Sequence, residues 1–258
     1  MSVTADVGRS RRRLGIMRIL ITGGTSGLGL AMARALADDG HRIVITGRAA
    51  DRAAEVAATL SGEVHGIGMD VRDGPSVRSG RDRTIDLLGG LDVLVNNAGI
   101  GMRTVNPRFL TDPQPFWQVP ESGFRDVIDT NLTGYFLVAS AVVPDLLASP
   151  GGQIINVTMN HATMTRPGFV PYGPSRAGAE SLSRIMAADL AGTGVRVNLL
   201  LPGGATATGM IPDDRADISG LLPAEIMAEP VRWLCSPAAA EIHDQRIVAT
   251  DFQSPPLR

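Results

Sequence analysis

Seven short apolar runs, each separated from the next by a stretch of helical length, constrain this chain more than any other feature. They lie at Arg18–Thr22, Arg42–Thr46, Val64–Met69, Asp92–Asn96, Gln153–Thr158, Arg196–Leu201 and Gln245–Ala249. A strand with one wet face alternates apolar and polar residues. Runs such as Ile19-Leu20-Ile21 or Val93-Leu94-Val95 do not alternate, so they read as strands buried on both faces. Right-handed crossovers between parallel strands then place helices above and below one sheet. The expected fold is α/β, a doubly wound parallel sheet of about seven strands.

With 258 residues, 44% of them apolar, and no internal repeat, one core suffices and the expectation is a single domain over 17–258. Residues 1–16, which include Arg9, Arg11, Arg12 and Arg13, read as a flexible extension, and Met17 stands directly before the first strand as a candidate functional start. The 24 basic residues are all arginine and are interspersed with 26 acidic ones, for a net charge of −2. That balance argues against nucleic acid or an anionic membrane surface as partner and points to a small molecule. One cysteine, Cys235, forms no internal disulfide, and no unbroken apolar run approaches the ~18 residues that span a bilayer. A cytoplasmic location is expected.

In a doubly wound sheet, ligands sit beyond the carboxyl ends of the strands. After the first run comes Thr22-Gly23-Gly24-Thr25-Ser26-Gly27-Leu28-Gly29, leading into the helical pattern Leu30 to Ala37. Glycines at 23, 27 and 29 permit a tight turn, close approach of a pyrophosphate and close helix-on-strand packing, with free N–H groups at the helix start. After the first strand of a parallel α/β pattern it reads as a Rossmann-type dinucleotide site, the alternative being an ordinary strand-to-helix loop. After the second run stands Gly47-Arg48, where an acidic residue would hold both ribose hydroxyls and repel a 2′-phosphate. An arginine fork suits phosphate, so NADP(H) is favoured over NAD(H). Arginine here also fits a solvated charge or a stacking surface for adenine.

Thr-Gly-x-x-x-Gly-x-Gly at 22–29, with Asn96-Asn97-Ala98-Gly99 closing the fourth run, resembles the short-chain dehydrogenase/reductase family. The resemblance continues through Asp70-Val71, Asn131 in Asn-Leu-Thr-Gly, Tyr172 at a helix start and Pro202-Gly203, and so spans nearly the whole chain. It implies that Asp70 holds the adenine amino group, that Asn97 to Gly99 support the ribose side and that Pro202-Gly203 line the nicotinamide. It also implies a homodimer or homotetramer, formed through helices at 123–147 and 172–190.

For the reaction centre the resemblance implies a tyrosine that gives or takes the proton, a lysine four residues later, a serine thirteen residues earlier and an asparagine that supports a water relay. Tyr172 and Asn131 match. Position 176 is arginine and position 159 is methionine. Arg176 keeps the positive charge one helical turn from Tyr172 and keeps donors for ribose, but it gives up no proton. Met159 is no donor at all, so the reacting oxygen lacks its second hydrogen bond. Asn160 is the first candidate substitute and His161 the second, although a loop histidine more simply bonds backbone or solvent.

Two breaker-rich segments, 101–123 and 202–223, read as substrate-side loops. Within them Phe116 and Trp117 suit either a pocket cap or packing under the loop, and Met210 falls in a lid or a plain loop. Trp233, Leu234 and Cys235 read as core on a short helix. The function expected is an NADP(H)-dependent oxidoreductase acting on a carbonyl/alcohol pair, with Tyr172, Arg176, Asn131 and Asn160 at the centre. The alternatives are a fold repurposed for a non-redox elimination, isomerisation or cyclisation, and a nucleotide-binding protein without turnover.

Overall fold

The computed structural model describes residues 15–211 and 220–253. The extension expected at 1–16 therefore lies, except for its last two residues, outside the described part, as do positions 212–219 of the second loop.

The strands are β1 (Arg18–Ile21), β2 (Arg42–Gly47), β3 (Val64–Gly68), β4 (Val93–Asn96), β5 (Gln153–Val157), β6 (Arg196–Leu201) and β7 (Arg246–Val248). Every expected run is a strand, with ends within one residue. They form one sheet in the order β3-β2-β1-β4-β5-β6-β7, with all pairs parallel. Along β1 the consequence of non-alternation is direct. Ile19 and Ile21 pack on one face with Met32, Leu36, Val231 and Leu234, while Leu20 packs on the other with Val77, Leu94, Val138 and Leu146. Each such side chain withdrawn from water contributes about 1.5–3 kcal/mol.

Helices α1 (Gly27–Asp38), α2 (Ala50–Ala57), α3 (Gly74–Leu88), α4 (Glu121–Ile128), α5 (Gly134–Leu147), α6 (His161–Met164), α7 (Tyr172–Asp189) and α8 (Ala228–Leu234) cover the two faces. The helix expected at 123–147 begins at Glu121 and is not uniform: a π-helical turn, Asp129–Thr133, separates α4 from α5. The segment expected to be irregular from 101 to 123 likewise contains helical turns at Met102–Thr104 and Phe116–Gln118.

The continuous stretch Glu121–Leu147 is 27 residues long, with mean hydropathy 1.3 in its most apolar window, so by length and composition it passes as a membrane-crossing helix. Here its apolarity serves the sheet: Val127, Val138, Ala139, Val142 and Leu146 are buried.

Candidate active site

Strand β1 has β2 on one side and β4 on the other, so its carboxyl end is the point at which the chain winding reverses. Two turns are locked together there. Thr22 Oγ1 accepts from the backbone N–H groups of Asn97 and Ala98, both at 3.0 Å, and Asn97 Nδ2 donates to the carbonyls of Thr22 and Gly23 at 2.9 and 3.0 Å. A side chain on Gly23 would bring its Cβ to 2.8 Å from Ala98 Cα, and the residue has φ +65. Glycine is required by both space and backbone. Gly27 is also left-handed, at φ +52, and opens α1, whose N-cap Ser26 makes no side-chain cap. Ser26 therefore leaves the first-turn N–H groups of Gly27, Leu28 and Gly29 without its side chain as a cap, the arrangement that receives an anion.

At the end of β2, a Cβ on Gly47 would stand 2.9 Å from Thr25 Cγ2, so the glycine-rich turn and the segment that begins with Arg48 are adjacent. Arg48 is exposed. Beyond β3, Asp70 is held by Arg72, whose Nη2 donates at 2.8 Å and Nε at 3.0 Å, while Arg72 Nη1 reaches Asp126 at 3.3 Å. Hydrogen bonds from Arg72, opposed by partial burial, keep the Asp70 carboxyl below its usual range. Val71 is buried against Gly134.

The π turn carries Asn131 inward. This fully buried side chain bonds both backbone groups of Ile100, and its Nδ2 also donates to Ser175 Oγ at 3.1 Å. Ser175 Oγ in turn donates to Tyr172 O at 2.7 Å. On α7, Tyr172, Arg176 and Glu180 recur every four residues and share a stripe. Arg176 is 3% exposed, and its Nη1 donates to Tyr135 Oη at 2.8 Å and to Val157 O at 3.1 Å. Its Cζ lies 5.4 Å from the centre of the Tyr172 ring, and its Nη2 fills the space where a side chain on Gly99 would begin. Nε of Arg176 has no partner among the described residues. Burial opposes the charge of Arg176, but the Tyr135 and Tyr172 phenols more than offset it and hold the guanidinium protonated.

Above Tyr172 the surroundings are apolar. Met102, Phe109 and Phe169 form a small cluster, with Val105, Leu110, Met159 and Tyr172 packed on it. Met159 thus presents a thioether and hydrocarbon surface beside Tyr172. Tyr172 Oη donates to Met210 Sδ at 3.9 Å, from the second loop, and Arg103 Nη1 holds that loop at the carbonyls of Gly209 and Ile211, at 3.4 and 3.2 Å.

Some expectations meet a different geometry. The Asn160 amide, expected to replace the serine as a donor to the reacting oxygen, donates to Gly203 O at 2.6 Å, tying the turn after β5 to the turn after β6. His161 bonds neither backbone nor solvent alone: its Nε2 lies 2.9 Å from Glu180 Oε1, and Glu180 also receives Arg246 at 3.2 Å. Phe116 and Trp117 do not pack under the loop; they are 69% and 72% exposed and stack edge to face on each other. Leu234 and Cys235 are buried as expected, and Trp233 packs partly buried against the same core. The residues that sequence reading missed are Tyr135, Ser175 and Glu180. Tyr135 and Glu180 each carried a signal, namely a position one helical turn beyond an expected site residue.

The model of the family described as short chain dehydrogenase matches residues 17–219. Sulfoacetaldehyde reductase 2 of Chromohalobacter salexigens is 37% identical over 188 residues, 72% of this chain and 71% of that protein. The probable NADP-dependent dehydrogenase of Haemophilus influenzae is 32% identical over 83% of this chain and 86% of its own. Among solved structures, a short chain dehydrogenase from Burkholderia cenocepacia in complex with NADP superimposes with a TM-score of 0.79 at 29% identity, covering 92% of this chain and 97% of that one.

Proposed function

From the fact that this chain belongs to the short-chain dehydrogenase/reductase family, we propose that it is an NADP(H)-dependent oxidoreductase interconverting a carbonyl and an alcohol on a small organic substrate. The observation that carries this reading is the position of Tyr172 over Arg176, on the helix that passes beneath the Asn97–Gly99 turn.

The turn suits a dinucleotide, because Gly23 and Gly27 take left-handed backbone and Gly23 and Gly29 let the turn pack closely on Asn97 and Ala98. Thr22, Gly23 and Ser26 to Gly29 would hold the pyrophosphate, Thr25 and Arg48 the 2′-phosphate, and Asp70 with Val71 the adenine. Asn97, Ala98, Gly99, Tyr172 and Arg176 would surround the nicotinamide ribose, with Pro202 and Gly203 behind the ring. When bound, NADP(H) supplies or accepts the hydride.

The chain's own residues manage the proton. Tyr172 gives its hydroxyl proton to the carbonyl oxygen in reduction and takes it back in oxidation. Arg176 sets its positive charge against the Tyr172 ring, without a proton to relay. Asn131 fixes the strand exit at Ile100, and Asn160 fixes Gly203. Met159, Met102 and Phe169 exclude water from the reacting oxygen. The missing donor at 159 slows the step, by on the order of 100-fold on the scale of a lost oxyanion contact. Met159 is also the observation that favours a second reading, a non-redox reaction at the same apolar cluster.

Phe124, Phe136, Leu147 and Ile185 are exposed on α4, α5 and α7, and we read them as the face that forms a homodimer or homotetramer. The free, buried Cys235 suits a cytoplasmic location. The test is NADPH consumption by the purified protein across a panel of ketones and aldehydes, with apolar ones preferred. No consumption with any of them overturns the oxidoreductase reading.

A further inference from the structure

The chain has two tyrosines, Tyr135 and Tyr172, and both stand against one guanidinium. Cζ of Arg176 lies 5.4 Å from the ring centre of Tyr172 and 5.5 Å from that of Tyr135. Tyr172 packs on the cluster of Met102, Phe109 and Phe169. Tyr135, in the first turn of α5, is 2% exposed and lies behind the guanidinium.

The Tyr135 hydroxyl is fixed from two sides. It donates to Val157 O at 3.0 Å and accepts from Arg176 Nη1 at 2.8 Å, and Nη1 also donates to Val157 O at 3.1 Å. A phenol has one proton and two lone pairs, so donation to Val157 leaves a lone pair aimed at Nη1. Burial pushes the Tyr135 phenol above its ordinary pKa, so it holds the guanidinium as a neutral acceptor.

A buried guanidinium is planar, and its five donors point in fixed directions. At Arg176 both directions of Nη1 are taken by Tyr135 and Val157. Nε has no protein partner among the described residues, and Nη2 lies under Gly99. Removing the Tyr135 oxygen would leave Nη1 held by Val157 O alone among the described residues and release the plane to tip.

We propose that Tyr135 is a positioning residue of the reaction centre: its hydroxyl sets the plane of the Arg176 guanidinium, so that the charge faces Tyr172 and the free donors face the Gly99 side. The proposal rests on the reading of Tyr172 and Arg176 as the reaction centre. It makes the phenol necessary to an arginine and dispensable to a lysine, whose ammonium is a compact charge with rotatable donors.

The experiment compares wild type, Tyr135→Phe, Arg176→Lys and the double variant, by calorimetric NADPH binding and by kcat and KM for a reduced carbonyl. In the arginine background, loss of the phenol oxygen is expected to weaken NADPH binding and lower kcat roughly tenfold each, with KM for the carbonyl nearly constant, as for a charged donor deprived of its acceptor. In the lysine background the same change is expected to alter both less than about twofold. Equal losses in the two backgrounds, or none in wild type, overturn the proposal. If Tyr135→Phe alone fails to fold while the double variant folds, the same coupling is read as stability, and failure of both overturns it. Wild type that binds NADPH but turns over no carbonyl overturns only the functional reading, because the binding arm still decides Tyr135. Wild type that binds no NADPH overturns both.

Discussion

Asn131 and Ile100 exchange two hydrogen bonds as though the asparagine side chain were a strand partner: Ile100 N donates to Oδ1 and Nδ2 donates to Ile100 O, each at 2.9 Å. The side chain is fully buried, so its loss leaves both backbone groups of Ile100 without their partner, together with the bond to Ser175. Asn131→Ala is therefore expected to lower unfolding free energy by about 2–4 kcal/mol as well as activity, since each orphaned buried polar group costs about 1–3 kcal/mol. Urea denaturation checks this. A loss under about 1 kcal/mol would mean that water replaces the amide and that the clamp is not structural.

Arg48 offers the sharpest test of cofactor preference. It is exposed at the end of β2, beside the turn that carries Thr25. A guanidinium attracts a 2′-phosphate and a carboxylate repels it, so Arg48→Glu is expected to weaken NADPH binding by about 10- to 100-fold, or roughly 1.4–2.8 kcal/mol. NADH binding should hold or improve. Parallel loss for both cofactors would show that Arg48 stacks on adenine and does not read the phosphate.

The sheet was legible in the sequence because burial on both faces leaves its mark on every residue of a strand, as at Ile19-Leu20-Ile21. The glycine turn was legible for a similar reason: Gly23 and Gly27 occupy backbone conformations that exclude most other residues. What stayed hidden depends on side-chain direction at chain distances that no periodicity records. Asn160 reads, from its place after Met159, as a substitute donor, and the Gly203 carbonyl that its amide bonds lies 43 residues away. Glu180 gathers His161 and Arg246 from 19 and 66 residues away. Tyr135 meets Arg176 from 41 residues away.

His41 links stability to pH at the opposite end of the sheet. It is 2% exposed, and its Nδ1 accepts from Met17 N at 3.2 Å, a bond that requires the unprotonated nitrogen. Burial, opposed by the charge of Asp39, lowers its pKa in the folded chain. The unfolded chain therefore binds the proton first, so stability is fully present above the ordinary histidine value of about 6.5 and falls as pH drops below it, by at most about 1.4 kcal/mol per unit. Chemical denaturation between about pH 7 and pH 5, above most carboxylate titrations, should show this slope in wild type and a shallower one in His41→Asn. An unchanged slope would assign it to other groups.

Met159 decides between the two functional readings. It packs beside Tyr172 on the cluster of Met102, Phe109 and Phe169. Met159→Ser removes apolar contact and is expected to cost about 1–3 kcal/mol of stability, while placing a hydroxyl donor where the reacting oxygen would lie. If the native reaction is carbonyl reduction limited by that missing donor, kcat should rise by about 10-fold or more despite the lower melting temperature, because one oxyanion-type donor is worth on the order of 100-fold or more. Arg176→Lys in the same chain should add to the gain by restoring a group that can exchange a proton. If instead both changes leave carbonyl reduction flat while activity on the native substrate falls, the thioether is part of the working chamber. The chemistry performed there is then something other than proton-coupled hydride transfer.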